Sequence, residues 1–189
     1  MSIANAKLGD HLEELLNIGI ALSAEKNHNK LLERILKEAR RITNADAGTL
    51  YLCEQDQLVF KIIHNDTLGI YQGGQGEPVD LPPVPLDPAN VSSWAALHKK
   101  SVNIPDVYAA DNFDFSGPKK YDAITGYRTG SMLVVPLENH EGEVNGVLQL
   151  LNAKNEKSQI IPFAPELEKI VFSLASQAAV SLTNMQYIQ

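Results

Sequence analysis

The sequence has little of what several classes of protein depend on. Its 189 residues include a single cysteine, Cys53, so a framework of disulfides within the chain is excluded. No apolar run reaches the length of a membrane span. The first residues, MSIANAKLGDHLEELL, lack the basic start and apolar centre of a signal peptide. We therefore expect a cytoplasmic protein.

Positive charge and metal-binding patterns are also scarce. The chain has 16 Lys and Arg against 23 Asp and Glu, a net charge of −7, which disfavours nucleic acid as a partner. The histidines, at positions 11, 28, 64, 98 and 140, have no metal-ligand spacing with one another or with Cys53. No nucleophile with an adjacent base is visible. These observations predict a chain that is not itself an enzyme and has no metal or cofactor.

What the sequence does contain is periodic hydrophobicity typical of helices at both ends. Apolar residues recur at helical spacing over about 8–22 and again over about 29–42. A third helix is predicted over 165–187, because Pro165 suits a first turn and Glu166 and Glu168 favour the positive end of the helix dipole. Its apolar stripe includes Ala175, Ala178 and Ala179.

Two β-hairpins lie between these helices. The first has predicted strands at 49–54 and 58–64, and the second at 132–137 and 144–152. Between them, residues 67–90 are rich in glycine and proline and predict loop, VSSWAALHKK predicts a short helix, and SVNIPDV a short strand. We expect an α+β fold with a central, mostly antiparallel sheet of about six strands. The terminal helices would cover one face, and loops and short helices would enclose a pocket on the other.

A polar motif precedes the second hairpin. Asp122, Thr125 and Thr129 are separated by three and four residues, so one face of a helix would carry all three side chains. Hydroxyl groups both donate and accept hydrogen bonds, which suits a polar ligand. The alternative is that the threonines bond back to their own helix or cap turns.

Four segments in order along the chain, NADAGTLYL, SVNIPDVY, DAITGYRTGSMLVVPL and GEVNGVLQLLNA, together resemble a GAF domain. The similarity is greatest to the GAF domains of cyclic-nucleotide phosphodiesterases, bacterial cyclases and bacterial HD-GYP phosphohydrolases. It implies one GAF domain over 1–189, with a dimerisation or linker helix at 1–22 and a final helix, 165–189, leading to an output domain. It also implies a role in signal transduction as a sensory domain.

The resemblance implies a site for a cyclic purine nucleotide. In cyclic-nucleotide-binding members the pattern Asp-x-x-Thr-Gly-x-x-Thr lies over the ligand, and Asp122, Thr125, Gly126 and Thr129 match it fully. A short helix in the family directs its first amides at the phosphate, because a helix N-terminus attracts anions. The corresponding positions here are Val91, Ser92 and Ser93, preceded by Asn90. A simple N-cap of a packing helix is the alternative.

The base end of that site departs from the family. Where members that bind cyclic GMP tend to carry Phe-Asp, this chain has Ile63 and His64, which favours cyclic AMP slightly over cyclic GMP. Gln149 replaces a Glu of some members, and its amide suits an adenine edge. Phe113 is a candidate to stack on the base. The alternatives are a solvent-facing His64, a surface-facing Gln149 and a Phe113 that only anchors its loop.

A second family signature, Asn-Lys…Phe-x-x-x-Asp-Glu, is partly kept. Asn152, Phe163 and Glu168 are present, Lys154 lies one position late, and Leu167 occupies the Asp position. The Lys–Asp contact of the family is therefore expected to be lost. Among other GAF proteins, the methionine-sulfoxide reductases need several cysteines for thiol exchange, so that activity is not expected here.

The terminal helices predict assembly. Leucines on more than one side of the first helix and the small-residue stripe of the last would favour a parallel homodimer. The alternative is that both helices pack on their own sheet. A dimerisation or protein-interaction module with no cyclic-nucleotide ligand is the second functional interpretation. Binding and dimerisation are compatible, with ligand occupancy relayed through the helices as a population shift.

Overall fold

A computed structural model describes the backbone of residues 3–188 and the side chains of residues 9–185. Within this part of the chain the helices are α1 (Ile3–Ala24), α2 (His28–Thr43), α3 (Val91–His98), α4 (Ser116–Thr125) and α5 (Pro165–Ile188), with a short 3₁₀ turn at Val107–Ala109. The strands are β1 (Ala45–Glu54), β2 (Gln57–Asn65), β3 (Ile70–Gly73), β4 (Val84–Pro85), β5 (Val102–Ile104), β6 (Met132–Glu138), β7 (Val144–Lys154) and β8 (Ile160–Ile161). None of these helices combines the length and apolarity needed to cross a membrane.

All the strands belong to one antiparallel sheet. Its order is β3-β2-β1-β7-β6-β5, with β4 beside β2 and β8 beside β7. Both predicted hairpins, β1–β2 and β6–β7, are present. The first turns at Gln55 and Asp56, both with positive φ, as a tight two-residue hairpin turn requires. The expectation of an α+β fold around a mostly antiparallel sheet is confirmed.

One prediction about the middle of the chain was wrong. The segment 67–90, expected to be loop throughout, contributes β3 and β4 to the sheet. Both are short strands added alongside β2, four and two residues long. Segments of this length carry too little periodicity to be recognised locally, because pairing with a neighbouring strand is what stabilises them.

Helices α1, α2 and α5 cover one face of the sheet. Helix α2 begins at its N-cap Asn27, whose side chain accepts a hydrogen bond from Lys30 N, and ends at Asn44 in the left-handed conformation. Its buried stripe packs with sheet residues such as Leu50 and Leu148 in one hydrophobic core. The small side chains of α5 lie in this same core: Ala175, Ala178 and Ala179 are fully buried.

The first helix has both a buried and an exposed apolar face. Leu15, Ile18 and Leu22 are buried in the core with α2 and α5. The side chains of the other apolar face are 56, 62 and 61% exposed: Leu12, Leu16 and Ile20. The alanine stripe of α5 therefore serves the chain's own core, and α1 alone retains an unpartnered apolar stripe among the residues described.

A second hydrophobic core lies on the opposite face of the sheet. Side chains such as Tyr51, Val134 and Val147 pack there against α3 and the segments around it. Helix α4 and the segment 78–90, which includes β4, complete this layer, in which the packing leaves a cavity. This is the face on which the pocket was expected.

Candidate ligand-binding site

The cavity has a volume of about 290 Å³ and lies between the sheet and a roof of short elements. Its floor comes from β1, β2, β6 and β7. Its roof comes from the start of α3, from α4 and from the loop before α3. The principal lining side chains are Thr49, Tyr51, Phe60, Ile63, Asn65, Leu81, Val84, Val91, Ser92, Asp114, Pro118, Tyr121, Thr129, Met132, Gln149 and Leu151. A second groove of about 420 Å³ between α1 and α2 is open to solvent, and in it Arg41 forms ion pairs with Glu14 and Glu38.

Strand register determines which side chains form the floor. Thr49 on β1 lies directly opposite Ile63 on β2 and Gln149 on β7. Gln149 in turn lies opposite Val134 on β6. Because residues opposite one another in a sheet project from the same face, these side chains form a row beneath the roof.

Three polar side chains meet at one point of the cavity. The Ser92 hydroxyl donates a hydrogen bond of 3.0 Å to Gln149 Oε1, and the Tyr51 hydroxyl donates one of 3.4 Å to the same oxygen. Burial raises the pKa of Tyr51, and a hydrogen bond with Ser92 opposes this rise only in part. Tyr51 therefore keeps its proton at neutral pH and acts as a donor.

The start of α3 is already capped by the protein. Asn90 Oδ1 accepts hydrogen bonds from Ser92 N at 3.0 Å and Ser93 N at 3.3 Å. Val91 and Ser92 line the cavity, whereas the fully buried Ser93 donates its hydroxyl to Pro85 O outside it. An anion that bonds to Ser92 N or Ser93 N would have to replace the Asn90 side chain as acceptor.

The polar motif of the roof is arranged differently from the prediction. Helix α4 ends at Thr125, and Gly126 follows with φ of 79°, so Thr129 lies beyond the helix and does not share a helical face with Asp122. Thr129 lines the cavity, but Asp122 lies behind it and accepts hydrogen bonds from Thr129 N, Thr129 Oγ1 and Tyr108 Oη at 2.6–2.8 Å. The chain reversal after Gly126 makes this contact possible.

The Thr125 hydroxyl forms local hydrogen bonds, in agreement with the alternative interpretation that the threonines bond back to their own helix or cap turns. Its hydroxyl donates to Tyr121 O at 2.7 Å and accepts from Tyr127 N at 3.2 Å. Thr125 and Asp122 thus shape the roof, and neither is among the residues that line the cavity.

At the base end, the structure separates two adjacent residues. The Ile63 side chain faces the cavity, but His64 lies opposite Gly48, where an added Cβ would meet Leu36 of α2. The imidazole is therefore on the α2 face, where burial and then the charge of Arg40 lower its pKa. The prediction that the His64 side chain contributes to base recognition is corrected, because His64 is at the cavity but its imidazole projects from the other face of the sheet.

Phe113 is also outside the cavity lining. Its ring packs edge-on against Trp94 and Phe115, at centroid distances of 5.7 and 6.3 Å. It anchors the loop before α4, as the alternative interpretation stated. Of the ten predicted ligand-binding residues, six line the cavity, although His64 among them directs its imidazole to the other face of the sheet. The other four are not among the lining residues: Asp122, Thr125, Ser93 and Phe113.

A buried polar network holds the end of the roof to the sheet. Asp46 accepts hydrogen bonds from Tyr127 and Thr67, both at 2.7 Å, and forms an ion pair with Lys154 at 3.1 Å. Burial disfavours the charged carboxylate, but these hydrogen bonds and the Lys154 charge outweigh it and lower the pKa of Asp46. Asn152 joins the network by donating to Tyr127 Oη at 2.9 Å. The lysine of the second signature thus pairs with Asp46 at the start of β1 and not with a residue of α5.

Sequence reasoning missed several lining residues, notably Tyr51, Phe60, Thr49 and Tyr121. Alternation along β1 could have placed Thr49 and Tyr51 on the face of Ala47. Phe60 could not have been found in this way, because the register shifts between Leu50–Ile62 and Tyr51–Phe60. That bulge turns Phe60 toward Tyr51, at a ring-centroid distance of 4.7 Å.

The chemistry for catalysis is sparse around this site. The described residues contain no cluster of three or more His, Cys, Asp or Glu side chains that could hold a metal. Burial raises the pKa of Cys53 to about 11, so its sulfur is a protonated thiol at neutral pH and a poor nucleophile.

Comparison with known proteins places this geometry in context. Over 171 residues the chain is 28% identical to the dual 3′,5′-cyclic-AMP and -GMP phosphodiesterase 11A of Takifugu rubripes, and the match covers 87% of this chain but only 18% of that protein. The chain therefore corresponds to a small part of that relative.

Solved structures match the whole fold. A GAF domain from a phosphoenolpyruvate-protein phosphotransferase of Coxiella burnetii superposes with a TM-score of 0.71 at 17% identity, covering 96% of this chain and 97% of that one. The free methionine-R-sulfoxide reductase of Neisseria meningitidis superposes with a TM-score of 0.67, also at 17% identity, covering 97% and 94%. At these identities the likeness concerns the fold alone. The sequence profile of the GAF domain matches residues 27–182, and the chain belongs to the GAF domain family.

Proposed function

We propose that this GAF domain is the ligand-sensing part of a larger signalling protein and that its cavity binds a cyclic purine nucleotide. The observation that carries the proposal is the convergence of Ser92, Thr129 and Gln149, from three separate segments, on one cavity with an aromatic and aliphatic floor. The similarity to a phosphodiesterase named for both cyclic AMP and cyclic GMP supports the same ligand class.

The lining is compatible with a flat base. Phe60, Ile63 and Leu151 offer apolar surface, and Gln149, Ser92 and Thr49 offer hydrogen-bonding groups beside it. Pockets for small ligands commonly combine these features.

The phosphate would be held without a cationic side chain from the described residues, none of whose Lys or Arg side chains lines the cavity. The remaining donors at that end are the first amides of α3, because the hydroxyl hydrogen of Ser92 is donated to Gln149. Binding of the phosphate to Ser92 N and Ser93 N requires displacement of the Asn90 cap, which links ligand entry to a local rearrangement at the start of α3.

The structure gives no support to the predicted preference for cyclic AMP over cyclic GMP. It rested on His64, whose imidazole lies on the other face of the sheet, and on a Gln149 that both donates and accepts. Gln149 Oε1 is already occupied by Ser92 and Tyr51. Cyclic AMP and cyclic GMP are therefore both candidate ligands.

Titration calorimetry of this chain with cyclic AMP and cyclic GMP tests the proposal. We expect saturable binding of one or both at a stoichiometry of one per chain. Thr129→Val should weaken binding by about fivefold or more by removing a cavity hydroxyl, whereas Thr129→Ser, which keeps the hydroxyl, should retain most of the affinity. No heat of binding with either nucleotide would contradict the proposal.

The second candidate function is a dimerisation module, and a separate observation favours it. The stripe of Leu12, Leu16 and Ile20 on α1 exposes apolar surface that has no partner within the described residues. We propose that a second copy of this chain covers it. Dimerisation and ligand sensing together would let cavity occupancy reach an output domain through α1 and α5.

A further inference from the structure

The amide of Gln149 is held in one orientation by its neighbours. Its oxygen accepts from Ser92 Oγ at 3.0 Å and from Tyr51 Oη at 3.4 Å. Its nitrogen, Nε2, donates to no protein acceptor among the described residues, and the side chain lines the cavity. Gln149 therefore presents two N–H donors and no acceptor to a ligand.

A count of hydroxyl hydrogens supports this orientation. Ser92 and Tyr51 each carry one hydroxyl hydrogen, and within the described residues their hydroxyls contact only each other and Gln149. With Oε1 toward them, both hydrogens have an acceptor. With the amide reversed, one of the two hydroxyls could donate to the other, but the second hydrogen would have no acceptor among the described residues, which is costly.

We infer that Gln149 is a specificity-determining residue that selects a ring carbonyl on the ligand, and that Ser92 and Tyr51 position its amide for this role. The inference rests on the proposed function, since it assigns the base edge of the same cavity. For a purine it means that the 6-oxo group is read and a 6-amino group is rejected. An amino group would bring its hydrogens against those of Gln149 Nε2.

Thr49 strengthens the selection for a 6-oxo group by adding a hydrogen-bond acceptor beside the donors of Gln149. It lies directly opposite Gln149 on β1 and lines the same cavity. Its hydroxyl makes no hydrogen bond to another described side chain, so it can accept from the ring N–H that accompanies a 6-oxo group. A 6-oxo purine thus finds a donor and an acceptor side by side.

Two cyclic nucleotides that differ only at this edge provide the test. Inosine 3′,5′-cyclic monophosphate has an oxo group and a ring N–H where cyclic AMP has an amino group and an unprotonated ring nitrogen. Titration calorimetry of the unmodified chain should show tighter binding of the inosine nucleotide by about tenfold, the effect of one buried hydrogen bond left unmade.

Gln149→Glu should reverse this order. The carboxylate still accepts from Ser92 and Tyr51 but presents an acceptor to the cavity, so cyclic AMP should become the tighter ligand. Tyr51→Phe, which releases the amide, should reduce the preference to about twofold or less while both nucleotides still bind. Gln55→Glu makes the same change in the exposed β1–β2 turn and should leave the preference intact.

The outcomes separate the inference from the proposed function. Equal affinity of the unmodified chain for the two nucleotides, or a preference for cyclic AMP, overturns the inference and leaves the proposed function in place. A preference that survives both Gln149→Glu and Tyr51→Phe also overturns it. No binding of either nucleotide overturns the proposed function and the inference together.

Discussion

At the scale of single residues, Asp46 and Tyr127 connect the cavity roof to the sheet. Tyr127 follows Gly126 at the end of α4, and Asp46 is the second residue of β1. Their 2.7 Å hydrogen bond spans 81 residues of sequence. The roof segment that carries Thr129 is thereby fixed over the cavity.

Removing the Tyr127 hydroxyl should destabilise the fold. Tyr127→Phe deprives Asp46 of a donor and Asn152 Nδ2 of an acceptor in a buried site, for an expected loss of about 1–3 kcal/mol in the free energy of unfolding. Urea denaturation measures it. Tyr71→Phe is the matched control: it removes a phenol hydroxyl bound to Asp66 on a residue that is 53% exposed, and its effect should be much smaller. Equal losses in the two variants would contradict a structural role for the buried hydroxyl.

Asp46 also makes stability depend on pH. Burial opposes its ionisation, but hydrogen bonds from Thr67, Tyr127 and Lys154 lower its pKa below the ordinary value of 3.8. A carboxyl with a lowered folded pKa stabilises the fold above its unfolded pKa and loses that contribution as the pH falls through the folded pKa. Asp46→Asn should therefore be less stable than the unmodified chain at neutral pH, with a gap that narrows below about pH 4. A gap that does not change with pH in urea denaturation would show that Asp46 titrates normally.

At the scale of secondary-structure elements, α3 is the part of the wall that ligand binding would alter. It begins at the cavity, and its first amides are held by Asn90. Helix α2 begins in the same way at Asn27, far from the cavity lining. Asn90 and Asn27 are therefore a matched pair of N-cap positions, one at the cavity and one outside its lining, for substitution.

Asn90→Asp should weaken cyclic-nucleotide binding without unfolding the domain. Asp and Asn are comparable N-caps, so the thermal midpoint should stay within a few degrees. A carboxylate beside the phosphate position should reduce affinity by about tenfold or more, through like-charge repulsion in a partly enclosed site. Asn27→Asp should leave affinity unchanged. Calorimetry of both variants decides the matter, since unaltered binding by Asn90→Asp would mean that the phosphate does not approach α3.

At the scale of the whole molecule, α1 is the element through which two chains could meet. The alanine stripe of α5, on which its predicted part in an interface was based, is buried in the chain's own core. Deleting α1 would be a poor test of assembly, since Leu15, Ile18 and Leu22 belong to that core. A surface substitution on α1 avoids the problem.

Leu16→Glu should convert a dimer to a monomer without loss of folding. Leu16 is 62% exposed in the single chain, so a charge there costs little in the monomer but would be buried unpaired in an interface. Light scattering at micromolar concentration gives the mass. Ile124→Glu, at a residue of α4 that is 75% exposed, should leave the dimer intact. A monomeric unmodified chain, or a dimer that persists in Leu16→Glu, would contradict the role of α1.

The sequence by itself determined the helices and strands that are long enough to show a local, periodic pattern of apolar residues. Helix α2 could be predicted from its apolar period, and both hairpins from alternation around short turns. The order of these elements, together with the four family-like segments, was sufficient to predict the GAF fold and the face that bears the cavity. Such signals are readable because side-chain periodicity follows from backbone geometry.

Only the tertiary structure decided how individual side chains meet. Ile63 and His64 are neighbours in the chain, but their side chains project from opposite faces of the sheet. The pairing of β2 with β1 determines which of the two side chains faces the cavity. The small side chains of the α5 alanines allow close contact with any helix or sheet, and in the folded chain they pack in its own core. Gln149 meets partners 57 and 98 residues away, Ser92 and Tyr51, which turn its amide so that only donors face the cavity. Contacts of this kind depend on strand register and on the folding together of distant segments, and no local pattern of residues records them.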